Sequence, residues 1–277
     1  MLISEFDPWN SPRCTCPPKY SFGPYTGCSH ACIYCYISAY VPWPFTARPK
    51  RQVVRRLARE LPGLDRSRYL SMANSSDPYP PLEAEMGLTR RCLSFLQGQE
   101  FPVLILTKSD LVARDADLLA DLPAAVSMTI TTLDPRLAAV LEPGAPPPEQ
   151  RLEALTALHR REVPCILRLD PIIPGLTDQE IESIVEASAS FCGHVVASTV
   201  KPRPDGLARL RQTFPREMEH LSFSRRGTTR YLPEEQRRTL LQRVASACRA
   251  HGLTYAACRE NVGGHTAVCD GSHLIPR

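Results

Sequence analysis

No stretch of this chain approaches the apolar length of a membrane-spanning helix, which excludes a helical membrane protein. An export signal is missing too: MLISEFDPWNSPRC holds an acidic pair and no apolar core, so no signal peptide is expected. Eleven cysteines without an export route do not read as a disulfide framework; a reducing cytoplasm, with some thiols on metal, is the expected setting. Charge of one sign is scarce as well, and a net +4 does not by itself argue for nucleic acid. No internal repeat appears beyond an alternation of strands and helices. What remains is an ordinary globular composition, 43% hydrophobic and 22% charged over 277 residues, long enough for one barrel-sized core. Proline is plentiful, at 27, and fixes many turns of the chain.

The densest chemistry lies in Thr26 to Tyr36, TGCSHACIYCY, where Cys28, Cys32 and Cys35 have C-x3-C-x2-C spacing. Three thiolates on one loop can hold three irons of a [4Fe–4S] cube and leave the fourth iron open, whereas most cluster-bearing electron carriers use four cysteines. An open coordination position marks chemistry rather than structure. Two other readings exist. Zinc needs a fourth ligand, and His30, inside the first spacer, would strain a closed tetrahedral site. A disulfide plus a spare thiol needs an oxidising compartment.

The chain around this loop alternates. Strands are expected at 20–25, 69–73, 103–107, 125–131, 164–173 and 195–200, with helices over 53–61, 83–97, 113–122, 149–161 and 177–191. The fold class is α/β: a partial (β/α)6 TIM-type barrel of parallel strands with N- and C-terminal extensions. Its divisions are 1–19, an extension; 20–202, the core barrel; and 203–277, a second extension with a helix over 233–251 and a short strand over 254–258. Active sites of such barrels lie at the C-terminal strand ends, where the cysteine loop, Lys108, Ser127, Arg168, Asp170 and Lys201 fall.

Several stretches together resemble the spore-photoproduct-lyase-like branch of the radical S-adenosylmethionine (SAM) superfamily. They are YSFGPYTGCSHACIYCY, SSDPYPPLEAEMGLTRRCL, LTKSDLVARDADLL, VSMTITTLDPRLAAVLEPGAPPPEQRLEAL and LDPIIPGLTD, in the same order over roughly residues 18–202. The resemblance implies a [4Fe–4S] cluster on Cys28, Cys32 and Cys35 and SAM on the open iron. It implies reductive cleavage to a 5′-deoxyadenosyl radical that abstracts hydrogen from a substrate, with a flavodoxin or ferredoxin as electron donor. Tyr34 matches an aromatic residue near the adenine, against plain loop packing. Ser76 matches a serine that contacts SAM, Lys108 a lysine near its carboxylate, and Ser127 a polar contact, with Thr129 as the alternative. No catalytic residue is assigned. One departure stands out: Asn74 occupies the place where the lyases carry a hydrogen-donating cysteine, and an amide does not donate hydrogen atoms as a thiol does.

Four other cysteines, Cys92, Cys165, Cys192 and Cys248, lie in apolar segments and read as core residues. Cys14, Cys16, Cys258 and Cys269 fall in loop-like segments expected outside the barrel. If the two ends of the chain pack together, these four form a second site for an auxiliary iron–sulfur cluster or zinc, with His265 or His273 as alternative ligands. Otherwise they are scattered thiols. Two further functions compete with the leading one. A nucleic-acid-directed lyase of the same branch rests on the arginine-rich stretch from Arg203 to Arg243, which a solvated helix face explains equally well. A non-catalytic iron–sulfur or zinc redox protein would bind no SAM.

Overall fold

The structure, a computed structural model, describes residues 1–6, 11–72, 75–227, 229–262 and 264–276. Eight strands make one sheet whose spatial order follows the chain. They are β1 (Ser4–Glu5), β2 (Tyr20–Phe22), β3 (Leu70–Met72), β4 (Val103–Thr107), β5 (Ala124–Thr129), β6 (Cys165–Ile172), β7 (Cys192–Thr199) and β8 (Thr254–Ala257). Every pairing is parallel except that of β1 with β2. The six expected core strands are β2 to β7. The sheet gains an antiparallel edge from the N-terminal segment and a parallel one, β8, from the C-terminal segment. Parallel neighbours need crossovers, and these carry α1 (Val53–Glu60), α2 (Leu88–Leu96), α3 (Ala116–Ala120), α4 (Pro135–Leu141), α5 (Pro148–His159), α6 (Ile181–Ala189), α7 (Pro204–Thr213) and α8 (Glu234–Ala250).

Strand alternation sorts the side chains into two cores. Val103, Ile105, Val126, Leu167 and Val195 join the main core. The alternate residues Leu104, Ala125, Ile166 and Val196 form a small inner core, which Ile275 and Leu274 of the C-terminal tail close. Continuing the alternation along β5 and β6 puts Ser127, Thr129, Arg168 and Asp170 on that inner face, above the apolar layer.

The single helix expected over 83–97 is two, Glu83–Met86 and α2, because Gly87 lies between them at φ +58°. Helices α4 and α7 were not expected. Each begins with a proline at its first turn, and at α4 the Asp134 carboxylate accepts from the Arg136 and Leu137 amides. Cys92, Cys165, Cys192 and Cys248 are buried, as read from the sequence. Among the described residues no helix is long and apolar enough to cross a membrane.

Candidate functional site

The cysteine loop leaves the strand pair Tyr25–Thr26 and Arg48–Pro49 through Gly27. That glycine sits at φ +77°, and a Cβ there would lie 2.2 Å from the Thr46 carbonyl oxygen, so only glycine fits. The Cys28 amide donates to Pro44 (2.7 Å), and the Cys35 amide to Cys32 (3.0 Å). The neighbouring segment after α4 completes the seat. The Ile33 amide donates to Leu141 (2.9 Å) and the Gly144 amide to His30 (3.0 Å), and a Cβ on Gly144 would lie 2.0 Å from the Ser29 oxygen. From the other side Arg209 of α7 donates to the carbonyls of Ile33 (2.8 Å) and Cys35 (3.1 Å). The three sulfurs are thus carried on a backbone held at many points. Burial pushes all three thiols up, Cys28 to about 12, with the nearby Asp77 charge adding to it. Thiolates there call for a cationic partner, and an all-sulfur donor set, with Cys32 buried and Cys28 and Cys35 half-buried, fits iron.

Asp77, in the NSSD stretch after the second expected strand and given no role by the sequence, ties this loop to the strand ends. Its carboxylate accepts from the Thr107 hydroxyl (2.7 Å), the Lys108 amide (2.8 Å) and the Tyr79 amide (2.9 Å), and lies 3.4 Å from His30 Nδ1. His30 is buried, and burial lowers its pKa. Ser76, one residue earlier, is buried in the loop after β3. Asn74 lies outside the described residues.

Tyr34 and Lys108, paired only by resemblance, converge on a residue not singled out, Glu142. The Tyr34 hydroxyl and the Thr131 hydroxyl (2.6 Å) both donate to Glu142 Oε1, and Lys108 Nζ lies 3.4 Å from it. Glu142 Oε2 faces buried Arg151 Nη2 at 2.5 Å. Burial alone would raise the Glu142 carboxyl. The charges of Lys108 and Arg151 outweigh it and hold the group well below the usual carboxylate range. Lys108 Nζ is also 5.7 Å from the Tyr34 ring centre.

Ser127 is buried on the inner face, and its hydroxyl has no hydrogen-bond partner among the described residues. An unpartnered buried hydroxyl is costly. Its place, one layer above the inner core, fits a bound ligand with polar groups. Arg168 and Asp170 form an ion pair (2.6 Å), and Arg168 Nη2 lies 3.7 Å from Cys258 Sγ. Lys201 is held by Glu260 (2.6 Å), which also faces Arg237 (3.1 Å) and accepts from Thr199. Two of the arginines in the basic stretch, Arg209 and Arg237, are therefore structural.

Residues 23–187 match the family model described as Radical SAM superfamily. The chain belongs to the radical SAM superfamily. An uncharacterized protein of Methanocaldococcus jannaschii is 30% identical over 223 residues, covering 78% of this chain and 84% of that protein. An uncharacterized protein of Mycobacterium tuberculosis is 30% identical over 261 residues, covering 83% of this chain and 73% of that one. Among solved structures, a spore photoproduct lyase complexed with dinucleoside spore photoproduct has a TM-score of 0.65 at 14% identity, over 86% of this chain and 75% of that one. Streptococcus suis SuiB bound to S-adenosylmethionine has a TM-score of 0.59 at 13% identity, over 86% of this chain and 49% of that one. At such identities the likeness is one of fold. Membership in the radical SAM superfamily carries an enzyme's chemistry in general form: a [4Fe–4S] cluster, SAM, a reductant and radical cleavage.

Proposed function

We propose that Cys28, Cys32 and Cys35 hold three irons of the cluster, and that SAM lies between the cysteine loop and the inner strand ends. A cluster held there would, when reduced, supply the electron for cleaving SAM to methionine and a 5′-deoxyadenosyl radical able to take hydrogen from a substrate. The chain's own residues bind and orient. Lys108 offers a cation to the SAM carboxylate, and its partial pairing with Glu142 keeps the ammonium in place. Tyr34, anchored by its hydroxyl, offers a ring to the adenine. Ser127 and Ser76 offer hydroxyls. The carrying observation is the unpartnered Ser127 hydroxyl on the inner barrel face of a chain with this cysteine loop. The test is 5′-deoxyadenosine formation from SAM on anaerobic reduction with dithionite; none formed with a full iron complement would overturn the reading. The physiological donor is a flavodoxin or ferredoxin, and the setting is cytoplasmic.

Ser127→Ala is expected to raise the apparent Kd for SAM by roughly five-fold, the worth of one hydrogen bond. Because the hydroxyl has no partner among the described residues, Tm should hold or rise. A lower Tm with unchanged SAM affinity would assign Ser127 to the core instead.

A second reading, a nucleic-acid substrate, draws on one feature. The hairpin Ser224–Arg226 and Thr229–Tyr231 sets Arg225 directly across from Arg230, beside exposed Arg226. Like charges opposite one another cost stability unless an anion bridges them. DNA binding that weakens steeply between low and moderate salt, and more weakly in Arg225→Ala/Arg230→Ala, is the expected result; no binding at low salt would end this reading. With Asn74 where the lyases carry cysteine, the reduced enzyme should convert dinucleoside spore photoproduct poorly, and ready conversion would refute that.

A further inference from the structure

Cys14, Cys16, Cys258 and Cys269 come from the N-terminal segment, the end of β8 and the C-terminal tail. The fold brings them together. Cys16 hydrogen-bonds with Cys14 and with Cys269, and Cys269 with Cys258. Against expectation two of them are not outside the barrel: Cys258 packs on the inner core, and Cys269 is buried. All four are free thiols.

Contacts that involve no sulfur put them there. The Cys258 amide donates to Ala197 of β7 (2.8 Å), which fixes it beside the strand ends. Lys19, three residues after Cys16, forms a buried ion pair with Asp270, the neighbour of Cys269 (2.6 Å), and the Tyr69 hydroxyl donates to the same carboxylate. Gly271 lies so close to Ile166 that a Cβ would come within 2.6 Å of its side chain. The cations Lys19 and Arg168 both act on Cys16, each also neutralised in part by its own carboxylate, Asp270 and Asp170. His273, an alternative ligand by sequence, packs edge-on against His194 instead, with ring centres 5.0 Å apart.

We propose that these four cysteines bind one zinc ion as a tetrathiolate, which clips the N-terminal segment to the C-terminal tail inside the open side of the barrel. Zinc prefers four tetrahedral ligands with Zn–S near about 2.3 Å, which puts sulfurs about 3.8 Å apart, in contact with one another. An iron–sulfur cube gives each thiolate its own iron and holds the sulfurs farther apart. Among the described residues no set of His, Cys, Asp or Glu already closes on a point as a finished cage, the loop triplet included, so metal binding at either site requires the cysteine side chains to rotate inward. Zinc binding releases the thiol protons and leaves about two net negative charges, which face Arg168 and Lys19.

The full chain, purified anaerobically and reconstituted with iron and sulfide, is expected to hold about one zinc besides about four irons. Cys16→Ser/Cys269→Ser should lose the zinc and keep the iron and the reduced-cluster paramagnetic signal. Should that variant not fold, zinc-edge X-ray absorption on the wild-type chain should give four sulfurs at about 2.3 Å. About eight irons and no zinc, a disulfide among the four by mass, all four thiols alkylated in metal-loaded protein, or zinc retained by the variant would each overturn the proposal. Zinc content is read apart from SAM cleavage, so its failure and that of the SAM reading are distinguishable.

Discussion

Cys32→Ala is expected to lower iron from about four per chain to near none and 5′-deoxyadenosine formation to background, with little change in fold. Cys32 is the most buried of the three loop thiols, at 6% exposure. Its backbone neighbourhood does not depend on its sulfur: the Cys35 amide donates to the Cys32 carbonyl, and Arg209 and Leu141 hold Ile33 from two sides. Removing one sulfur therefore leaves the loop in place with two donors, too few for a cube that already lacks a fourth. Iron content, 5′-deoxyadenosine yield and circular dichroism check this together. Cys92→Ala, at a core cysteine of α2, should retain full iron and full SAM cleavage, and serves as the control. A Cys32→Ala protein that keeps four irons and cleaves SAM would remove Cys32 from the ligand set.

Glu142→Ala is expected to destabilise the protein by about 3–5 kcal/mol, the cost of leaving a buried charge unpaired. That corresponds to a fall in Tm of roughly 10 °C for a chain of this size. The uncompensated partner is Arg151, whose side chain is 2% exposed and whose remaining bonds reach only the carbonyls of Pro146 (2.9 Å) and Thr129 (3.1 Å). The loss also has a functional side. Tyr34 loses the acceptor of its hydroxyl, and Lys108 its carboxylate neighbour, so SAM affinity should fall with stability. Glu142→Gln keeps the shape and removes the charge, so a loss shared by both variants belongs to electrostatics. The pH dependence has a definite sign. The folded pKa is depressed, so the Glu142 contribution is complete above the ordinary carboxylate range and disappears as pH falls through the folded value. Wild-type and variant Tm should accordingly converge toward acid. An unchanged Tm near neutral pH in Glu142→Ala would show that the pair contributes nothing.

The core strands and the cysteine loop were legible because their signals are local. Val103 to Thr107 is a short apolar strand in sequence and in structure, and C-x3-C-x2-C fits within eight residues. The start of α4 was also legible and was missed: Asp134 followed by Pro135 is a cap and a first-turn proline. The helix over 83–97 failed at Gly87, a break that a glycine inside an apolar pattern signals only weakly. The arginine-rich stretch misled in the other direction. Composition cannot distinguish Arg209, bound to the cysteine loop 174 residues away, from an arginine on an open face.

The sequence by itself determined the spacing of the three loop thiols and the order of the core strands, and hence the strand ends at which the proposed site lies. Spacing along a few residues carries that information, because strand alternation, helical period and ligand bite are all short-range. Only the tertiary structure decided what surrounds the loop. Tyr34 meets Glu142 across 108 residues, Lys201 meets Glu260 across 59, and Lys19 meets Asp270 across 251. No local pattern encodes such pairs; the first two form because parallel strands return the chain to the same end of the sheet after every crossover, and the third because the tail after β8 turns back to the strand starts, where Asp270 also meets Tyr69. The four thiols of the two chain ends meet because both ends join the same sheet and the tail folds back across it. β8 adds to β7, carries Cys258 to the inner face, and brings the tail with Cys269 back beneath the N-terminal segment.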